Sequence, residues 1–518
     1  MSASDDDFLR TSYDQLRHTI DTISQNDLVL PAAHLYDHAT TAIQDLPTAT
    51  QGIGREATLH HLLRDIVPAL NGQNLSGRYY GFVTGSTLPV AEAADNIVTS
   101  LDQNVAVHLP GQSVSTAVED ITLQALLRLL RLDATSTAEK ILWPGRIVTT
   151  GATASNVLGL ACGREAIIRW RHPRALGPSE LGLLTACREA GVQGIQILTS
   201  MGHSSLSKAA SVVGLGSGSV QELSLSEAEP WRLDLDAVER EVQKDGVASI
   251  IVVSAGEVNT GRFATNGEDD LRRLRELADR YKAWIHIDGA FGLLARILPQ
   301  NDECYAHQVT AVQGIELADS ITGDAHKLFN VPYDAGFFFC RHLAIQTSVF
   351  QNPNAAYLTA PTCAIQSPLN IGLENSRRFR ALPIYAVLRS EGEEGLRAML
   401  CRMVEMARRV AGFIQAHAHY QLLPSGANSS SSSANKEDMQ TELDHTWVVV
   451  IFRDSRSEYN TVLTERINKT RRMYVSGTSW AGQKATRIAV SSWRVNVEED
   501  LAVVTEVLES LAQTAPVE

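Results

Sequence analysis

The chain lacks the features that mark membrane-spanning, secreted and zinc-binding proteins. No apolar run reaches the roughly 18 residues that a membrane-spanning helix needs. The N-terminus MSASDDDFLR has no basic start followed by an apolar stretch, so no secretory signal is expected. The six cysteines are scattered, without a CxxC pair or a histidine at ligand spacing. Zinc and a disulfide framework are therefore not expected, and a reducing, cytoplasmic compartment fits.

Lysine and arginine are also scarce relative to the acidic residues, since the net charge is −14 at pH 7. A nucleic-acid surface needs an excess of basic residues, so the charge argues against a nucleic-acid partner. It does not exclude an anionic small molecule, because a pocket can be locally positive on an acidic protein. A chain of 518 residues is too long for one small core, and two or three structural units are expected at about 100–200 residues each.

Three segments of different character divide the chain. Residues 1–110 combine helical apolar spacings with a segment rich in glycine and aromatic residues, and we predict an N-terminal helical segment. Residues 111–388 begin with a long helix and then alternate short β-branched runs with helical windows, which predicts a large α/β domain with a mainly parallel sheet covered on both faces. For residues 389–518 we predict a small α+β unit with a disordered, serine-rich loop at 424–440.

The first candidate functional residue is Lys327, in the segment Asp324-Ala325-His326-Lys327. The preceding run, LADSITGD, ends a strand and the following run is apolar, so the side chain is expected in a partly dry site. Burial lowers the pKa of a lysine, and a neutral amine is the form that attacks an aldehyde. The alternative interpretation is an ordinary solvated surface lysine.

The second candidate is Asp288, which ends the apolar strand AWIHID. Strand alternation places His286 and Asp288 on one face. The carboxylate could bind a metal, act as a general base or cap the strand, but no second acidic residue stands nearby at ligand spacing, which disfavours a metal. It could instead form a charge-assisted hydrogen bond with a protonated ring nitrogen, and the small Ala290 would let a flat ring lie close.

Two further elements follow strands of the same predicted sheet. The turn at 149–156, TTGATASN, could bind an anion through backbone N–H groups at a helix start, although such residues often only cap a helix. His203 follows the strand IQILTS and could stack on a ring or pass a proton, or be a satisfied polar residue. Because parallel sheets bind ligands at the carboxyl ends of their strands, the order of turn, His203, Asp288 and Lys327 predicts one shared site.

With these motifs the sequence resembles the group II pyridoxal 5′-phosphate (PLP)-dependent amino-acid decarboxylases, which include aromatic amino-acid, glutamate and histidine decarboxylases. The resemblance covers about residues 75–510 and is carried by TTGATASN, HSSLSKAA, SAGEVNTGRF, IHIDGAFG and DAHKLFNVPYDAG. It implies PLP fold type I and a homodimer with active sites at the subunit interface. It also implies decarboxylation of an L-amino acid to the amine and CO₂.

The resemblance further implies roles for individual residues. Lys327 would form the Schiff base with PLP, and Asp288 would pair with the pyridine nitrogen. His203 would act in catalysis and stack on the ring face opposite Ala290. The other implied contacts are Ala152, Thr153 and His326 at the phosphate, and Tyr80, Phe82 and Thr84, together with Tyr79, in the substrate pocket.

Three departures from the family pattern bear on the reaction. Many members carry a loop tyrosine that is implicated in protonating the substrate carbon, whereas here Pro368 stands near that position and Tyr357 lies earlier. Some relatives without this tyrosine release an aldehyde. Glu257 replaces a small or neutral residue and would favour a cationic group if it faces the pocket, or be a plain loop residue. Ala154 stands where many relatives have glutamate.

Three functions are therefore compatible with the sequence. The leading prediction is an L-amino-acid decarboxylase, for which Tyr79, Tyr80 and Phe82 favour an aromatic substrate, although aromatics are also common packing residues. The second is a PLP-dependent aldehyde synthase or another carbon–carbon lyase on the same fold. The third is a decayed dimeric scaffold, against which the intact Lys327 and Asp288 argue.

Overall fold

The N-terminal region is helical, as the apolar spacing predicts. The structure is a computed structural model, and it describes residues 3–44, 46, 51–133, 142–173, 176–352, 365–424 and 436–514. A proline opens the fourth helix, at a position where its missing N–H leaves no helical hydrogen bond unmade. The helices of this region are α1 (Ala3–Ser24), α2 (Ala33–Ala42), α3 (Arg55–His61), α4 (Pro89–Leu101) and α5 (Ser115–Leu129).

A seven-stranded mixed sheet forms the centre of the large domain. Its strands are β1 (Gly145–Thr149), β2 (Gly194–Thr199), β3 (Val220–Glu222), β4 (Val247–Ser254), β5 (Trp284–Asp288), β6 (Ser320–Asp324) and β7 (Gly336–Cys340). They lie in the order β1-β7-β6-β5-β4-β2-β3. Four of the six neighbouring pairs are parallel, and β7 runs antiparallel to both of its neighbours. The predicted mainly parallel sheet is therefore confirmed.

Helices cover both faces of this sheet. Adjacent residues of β5 show the arrangement, because Ile285 belongs to one apolar cluster and Trp284 to the cluster on the other face. A strand buried on both faces is typical of a parallel sheet between helical layers. The helices of this part are α6 (Ala152–Arg169), α7 (Pro178–Leu181), α8 (Leu183–Glu189), α9 (Ser204–Val212), α10 (Leu235–Val242), α11 (Glu268–Tyr281), α12 (Ala306–Ala311) and α13 (Leu343–Phe350).

Short helical turns of other types lie between these elements. A π-helical turn at Leu62–Ile66 continues α3. The 3₁₀ turns are Val67–Ala69, Ser217–Ser219, Gly292–Ile297, Glu303–Tyr305, Ile315–Leu317 and Pro368–Asn370.

A long helix, α14 (Ala381–Ala416), joins the large domain to the C-terminal unit. It bends at Gly392, whose backbone leaves the helical region with φ 59° and ψ −167°. The predicted domain boundary at residue 389 falls just before this bend. The C-terminal unit contains a four-stranded antiparallel sheet in the order β10-β11-β9-β8. Its elements are β8 (Tyr420–Leu423), α15 (Lys436–His445), β9 (Val449–Asp454), α16 (Ser457–Lys469), β10 (Ser476–Trp480), β11 (Gln483–Ala489) and α17 (Val497–Gln513).

The structure differs from the predicted disordered loop at 424–440 at the C-terminal end of that range. Residues 425–435 lie outside the described part of the chain, whereas residues 436–440 belong to α15. Composition alone does not separate a polar surface helix from a polar loop, which explains the difference. Among the described residues, no helix combines the length and the apolar character that crossing a membrane requires.

Candidate active site

One cavity of about 560 Å³ lies where the parallel strands end. The segments that follow β1, β2, β4, β5 and β6 all reach it, as the predicted strand-end arrangement requires. The hairpin β10–β11 of the C-terminal unit contributes a further wall. The predicted residues that line this cavity are Phe82, Ala152, Thr153, His203, Asp288, Ala290, His326 and Lys327.

Lys327 lies one short turn beyond the end of β6. Its Nζ is 2.8 Å from Oδ2 of Asp324, and its side chain is 21% exposed. It also lies over the ring of Phe291, with 5.9 Å between Nζ and the ring centroid. The amine is therefore in a partly dry position that opens to the cavity, rather than on a solvated surface.

Asp288 receives hydrogen bonds from neutral donors that form a chain of fixed direction. The indole of Trp284 can only donate, and it donates to Oγ of Ser320 at 3.0 Å. Nδ1 of His286 lies 2.7 Å from the same hydroxyl, and a neutral imidazole that is protonated at Nε2 accepts the Ser320 proton there. Nε2 of His286 then donates to Oδ1 of Asn156 at 2.9 Å, and Nδ2 of Asn156 donates to Oδ2 of Asp288 at 2.9 Å.

This chain needs an uncharged His286. Burial lowers the pKa of His286 to about 4, although the charge of Asp288 acts in the opposite direction. The imidazole is therefore neutral at pH 7, and Asp288 carries the charge of this group. The predicted placement of His286 and Asp288 on one face is confirmed by their shared partner, Asn156, which the sequence had suggested only as part of a turn.

The turn after β1 presents the start of α6 to the cavity. Gly151, the residue before this 18-residue helix, has φ 144° and no side chain, so it does not cap the first amides of the helix. The N–H of Ala152 donates to Oδ1 of Asp324 at 2.6 Å, which shows that this helix start accepts an anion. Thr153 and Ala154 line the cavity beside it.

His203 begins α9 and faces the cavity. Its Nδ1 accepts the backbone N–H of Ser205 at 3.1 Å and lies 2.7 Å from the hydroxyl of the same residue. Burial lowers the pKa of His203, Asp288 raises it, and Lys327 lowers it. The ring is therefore neutral at pH 7 and carries its proton on Nε2, because Nδ1 is an acceptor.

The aromatic segment after α3 reaches the cavity only in part. Phe82 lines the cavity and is 62% exposed, whereas Tyr80 is fully buried in the core. The predicted substrate contact of Tyr80 is therefore wrong for this structure. Phe82 adopts a left-handed backbone with φ 59°, which breaks the strand-like alternation that would have placed positions 80 and 82 on one side.

Thr84 and Tyr79 also stand behind the cavity wall. The hydroxyl of Thr84 donates to the backbone oxygen of Gly81 at 3.2 Å. Thr84 is buried and does not line the cavity, whereas its neighbour Tyr333 does. Tyr79 stacks on Tyr474 with 4.8 Å between ring centroids. Thr84 and Tyr79 therefore support the wall rather than form it.

Arg487 also lines the cavity, and no role was predicted for it from the sequence. Nε donates to the backbone oxygen of Val258 at 2.6 Å, and Nη1 donates to that of Phe82 at 2.5 Å. Nη2 is buried and has no hydrogen-bond partner among the described residues. Burial lowers the pKa of Arg487 to about 10, and Glu257 opposes this shift. The guanidinium therefore remains charged at pH 7, with one donor free.

Glu257 also lines the cavity, so it is not a plain surface-loop residue. Its carboxylate accepts the backbone N–H groups of Asn259 at 2.8 Å and Thr260 at 2.9 Å, and the hydroxyl of Thr260 at 3.0 Å. Burial raises the pKa of Glu257, whereas these hydrogen bonds and Arg487 lower it. The carboxylate is thus satisfied by donors of its own loop, which weakens the prediction of a cationic ligand group.

These residues fit a flat pyridine aldehyde that carries a phosphate. An amine, a carboxylate held by neutral donors and a helix start that already accepts one carboxylate oxygen line the same cavity. The small Ala290 leaves room for a ring, and the volume lies within the range of small-molecule sites, about 300–1,000 Å³.

Comparisons with known proteins agree with this fit. The pyridoxal-dependent decarboxylase conserved domain matches residues 84–428. L-2,4-diaminobutyrate decarboxylase of Acinetobacter baumannii is 29% identical over 286 residues, which cover 54% of this chain and 53% of that enzyme. The chain thus matches about half the length of that relative.

Two solved structures share the fold over nearly the whole chain. Oryza sativa TDC, crystallised with PLP and tryptamine, has a TM-score of 0.78 at 19% identity and covers 99% of both chains. Rhodiola rosea 4-hydroxyphenylacetaldehyde synthase has a TM-score of 0.76 at 18% identity, again over 99% of both chains. The predicted fold type I is confirmed by these likenesses. Since the family domain matches most of the sequence, the chain belongs to the pyridoxal-dependent decarboxylases, whose cofactor is PLP.

Proposed function

We propose that this protein is a PLP-dependent carboxy-lyase that converts an L-amino acid to the amine and CO₂. The observation that carries the proposal is that Lys327 and Asp288 line one cavity, together with His203 and the start of α6. Bound PLP supplies an electron sink for the bond that breaks at the substrate α-carbon. The protein's own residues bind, orient and exchange protons.

Lys327 is the amine proposed to hold the cofactor aldehyde, and Asp288 the carboxylate proposed to pair with the ring nitrogen. A charge-assisted hydrogen bond keeps such a nitrogen protonated. The neutral chain through Asn156 and His286 supports this role, because it orients the carboxylate without supplying a positive charge that would satisfy it. Ala152, Thr153 and His326 are proposed to contact the phosphate, and His203 and Ala290 the two ring faces.

Arg487 is proposed to receive the α-carboxylate of the substrate. Its unpartnered Nη2 is buried, and leaving such a donor unsatisfied costs about 1–3 kcal/mol. A carboxylate would satisfy it and would match the forked geometry of a guanidinium. The backbone oxygens of Val258 and Phe82 hold Arg487 at the wall, so the substrate carboxylate would be fixed at a defined point of the cavity.

The walls of the cavity favour an aromatic or apolar substrate side chain. Phe82, Phe291 and Tyr333 present rings to it, and the carboxylate of Glu257 is satisfied by donors of its own loop. An unbiased panel of amino acids, followed by CO₂ release, tests the substrate class. A preference for cationic or anionic amino acids over aromatic ones would overturn this part of the proposal.

Aldehyde formation is the second candidate outcome. No tyrosine occurs between Tyr357 and Tyr385, and one structural neighbour is a 4-hydroxyphenylacetaldehyde synthase. Tyr357 itself lies outside the described residues, and Pro368 begins a 3₁₀ turn. Assays for peroxide and ammonia distinguish the two outcomes, since a decarboxylase releases one amine per CO₂ and neither of those products.

We also propose that the active form is a homodimer with the cavity at the interface. Phe82 lines the cavity and is mostly exposed on its own chain, so a second copy would cover it. Other exposed apolar side chains near this end of the sequence are Ile97, Leu101, Leu109, Val114 and Ile121. Sedimentation of the active protein tests the assembly, and full activity in a monomer would refute it.

Borohydride reduction tests the attachment of the cofactor without relying on turnover. The proposal predicts that reduction fixes a pyridoxyl group on the peptide that contains Lys327, as detected by mass spectrometry. A pyridoxyl group on another lysine, or on none, would contradict it. The second result would also support the decayed-scaffold alternative.

A further inference from the structure

The carboxylate of Asp324 holds two groups that a bound cofactor would need. Oδ2 lies 2.8 Å from Nζ of Lys327, and Oδ1 accepts the N–H of Ala152 at 2.6 Å. Asp324 is the last residue of β6 and its side chain is 3% exposed. One buried carboxylate therefore joins the amine proposed to bind the aldehyde to the helix start proposed to bind the phosphate.

Within the described part of the chain, one positive charge contacts Asp324 directly. Nε2 of His326 lies 3.8 Å from Oδ1, but burial lowers the pKa of His326, and its Nδ1 accepts the N–H of Ala335. His326 is therefore neutral at pH 7. Among the described residues, Lys327 is the cation paired with Asp324. The ring of Tyr333 lies 4.3 Å from that of His326, between centroids, at an interplanar angle of 34°, and it adds no charge there.

We propose that Asp324 is a positioning residue that holds the cofactor-free site in order and limits the affinity for PLP. The inference rests on the proposed roles of Lys327 and the start of α6. Lys327 must lose its proton to solvent before its nitrogen can bond to the aldehyde carbon, whose oxygen leaves as water. Asp324 would then lose its ion pair with the free ammonium of Lys327, while the phosphate would bring negative charge to the same helix start. Like charges brought together in a buried site oppose binding.

The substitution Asp324→Asn separates the charge of this residue from its shape. The amide oxygen of asparagine can still accept the N–H of Ala152, while the negative charge is removed. We therefore expect the Kd of PLP for the cofactor-free protein to fall by about tenfold or more. The cofactor-free variant should also melt at a lower temperature, because the ion pair with Lys327 is gone.

Two cofactor analogues distinguish the contact of Asp324 with Ala152 from its contact with Lys327. 4′-Deoxypyridoxine 5′-phosphate has the phosphate but no aldehyde, and pyridoxal has the aldehyde but no phosphate. Competition for the N–H of Ala152 predicts that Asp324→Asn tightens binding of the first analogue. The tightening should be smaller for pyridoxal, which brings no anion to the helix start.

Asp334→Asn is the matched control. Asp334 lies near His326 and pairs with Arg380 at 2.7 Å, but it does not contact Lys327 or Ala152. The substitution Asp334→Asn removes the same unit of charge close to the site. The Kd of PLP for this variant should stay within about twofold of the wild-type value. An equal gain in both variants would reduce the effect to general charge and overturn the specific role of Asp324.

A second measurement needs no variant and remains informative if Asp324→Asn folds poorly. Labelling of Lys327 by an amine-reactive reagent in cofactor-free wild-type protein should become faster when inorganic phosphate is added, because phosphate displaces the carboxylate from Ala152. Unchanged labelling at phosphate concentrations that compete with PLP would contradict the coupling. Wild-type protein that binds no PLP would overturn the proposed function itself, whereas wild-type binding without a gain in Asp324→Asn overturns only this inference.

Discussion

Two aspartates end neighbouring parallel strands and have different partners. Asp288 is the last residue of β5 and accepts hydrogen bonds from uncharged groups, through Asn156 and the N–H of Ala290. Asp324 is the last residue of β6 and pairs with the ammonium of Lys327. Both aspartates thus end a strand of one sheet. Uncharged donors orient Asp288 without pairing it with a cation, whereas Lys327 neutralises Asp324.

The largest expected effect comes from removing Lys327, the cation that pairs with Asp324. Lys327→Ala should abolish turnover, because no other amine lines the cavity among the described residues. The fold should survive, since the apolar sheet does not depend on that amine. CO₂ release and circular dichroism check the two statements, with the exposed Lys208→Ala as control. Near-normal turnover in Lys327→Ala would refute the assignment.

Substitution of the two aspartates should give opposite results. Asp288→Asn should lower kcat by about 10²–10³-fold, because a neutral amide cannot hold the charge on the ring nitrogen. Asp324→Asn should instead tighten PLP binding. Measuring kcat and the Kd of PLP for both variants tests the difference between the strands. The comparison fails if both substitutions weaken the cofactor equally.

A smaller effect is expected at Arg487, in the wall that the C-terminal hairpin contributes. Arg487→Lys keeps the positive charge but removes the two parallel donors of the guanidinium. KM should rise by about tenfold with a smaller change in kcat, because a lysine binds a carboxylate as a point charge rather than through two parallel donors. Steady-state kinetics with the preferred substrate provides the measurement. A fall in kcat at constant KM would indicate that Arg487 acts on the chemical step instead.

Lower pH should affect the neutral chain behind Asp288. The pKa of His286 is about 4 in the folded protein, below its ordinary value, so the unfolded chain binds more protons between about pH 6.5 and 4. Stability therefore falls as the pH falls through this range. When the pH is lowered through this range, the Tm of the His286→Gln variant should fall by less than the Tm of the wild type. His307 and His445, whose pKa values burial also lowers, contribute equally to both proteins, so the difference reports on His286.

The smallest effect is expected outside the comparison, at Tyr80. Its hydroxyl is buried without a hydrogen-bond partner among the described residues. Tyr80→Phe should therefore leave kcat/KM unchanged and change the free energy of unfolding by no more than about 1 kcal/mol, in the stabilising direction. Kinetics and thermal melting test this. A marked loss of activity would return Tyr80 to the substrate pocket.

The sequence predicted most of the sheet and the centre of the site. Strand runs such as 146–150 and 195–200 agree with β1 and β2 to within a residue at each end. Asp288 was predictable because it ends a short strand, and Lys327 because it lies just beyond one, since the carboxyl ends of parallel strands meet at one edge. These signals are local in the chain, so a single sequence contains them.

Other parts of the site depend on contacts between distant segments. Arg487 comes from the hairpin β10–β11, and nothing near it in sequence indicates that the hairpin folds over the strand ends. The chain from Trp284 to Asp288 passes through side chains of β5, β6 and α6. It also needs Gly159, where a Cβ atom would lie 2.5 Å from Cε1 of His286.

The sequence by itself thus determined the fold class, the family and the residues that end the strands, because periodicity and local motifs express them directly. The tertiary structure decided which polar groups are paired. It neutralised Asp324 with Lys327, left a donor of Arg487 free and turned Tyr80 away from the cavity. Hydrogen-bond partners in a buried site are chosen by three-dimensional packing, and this information is not carried by any one segment of the chain.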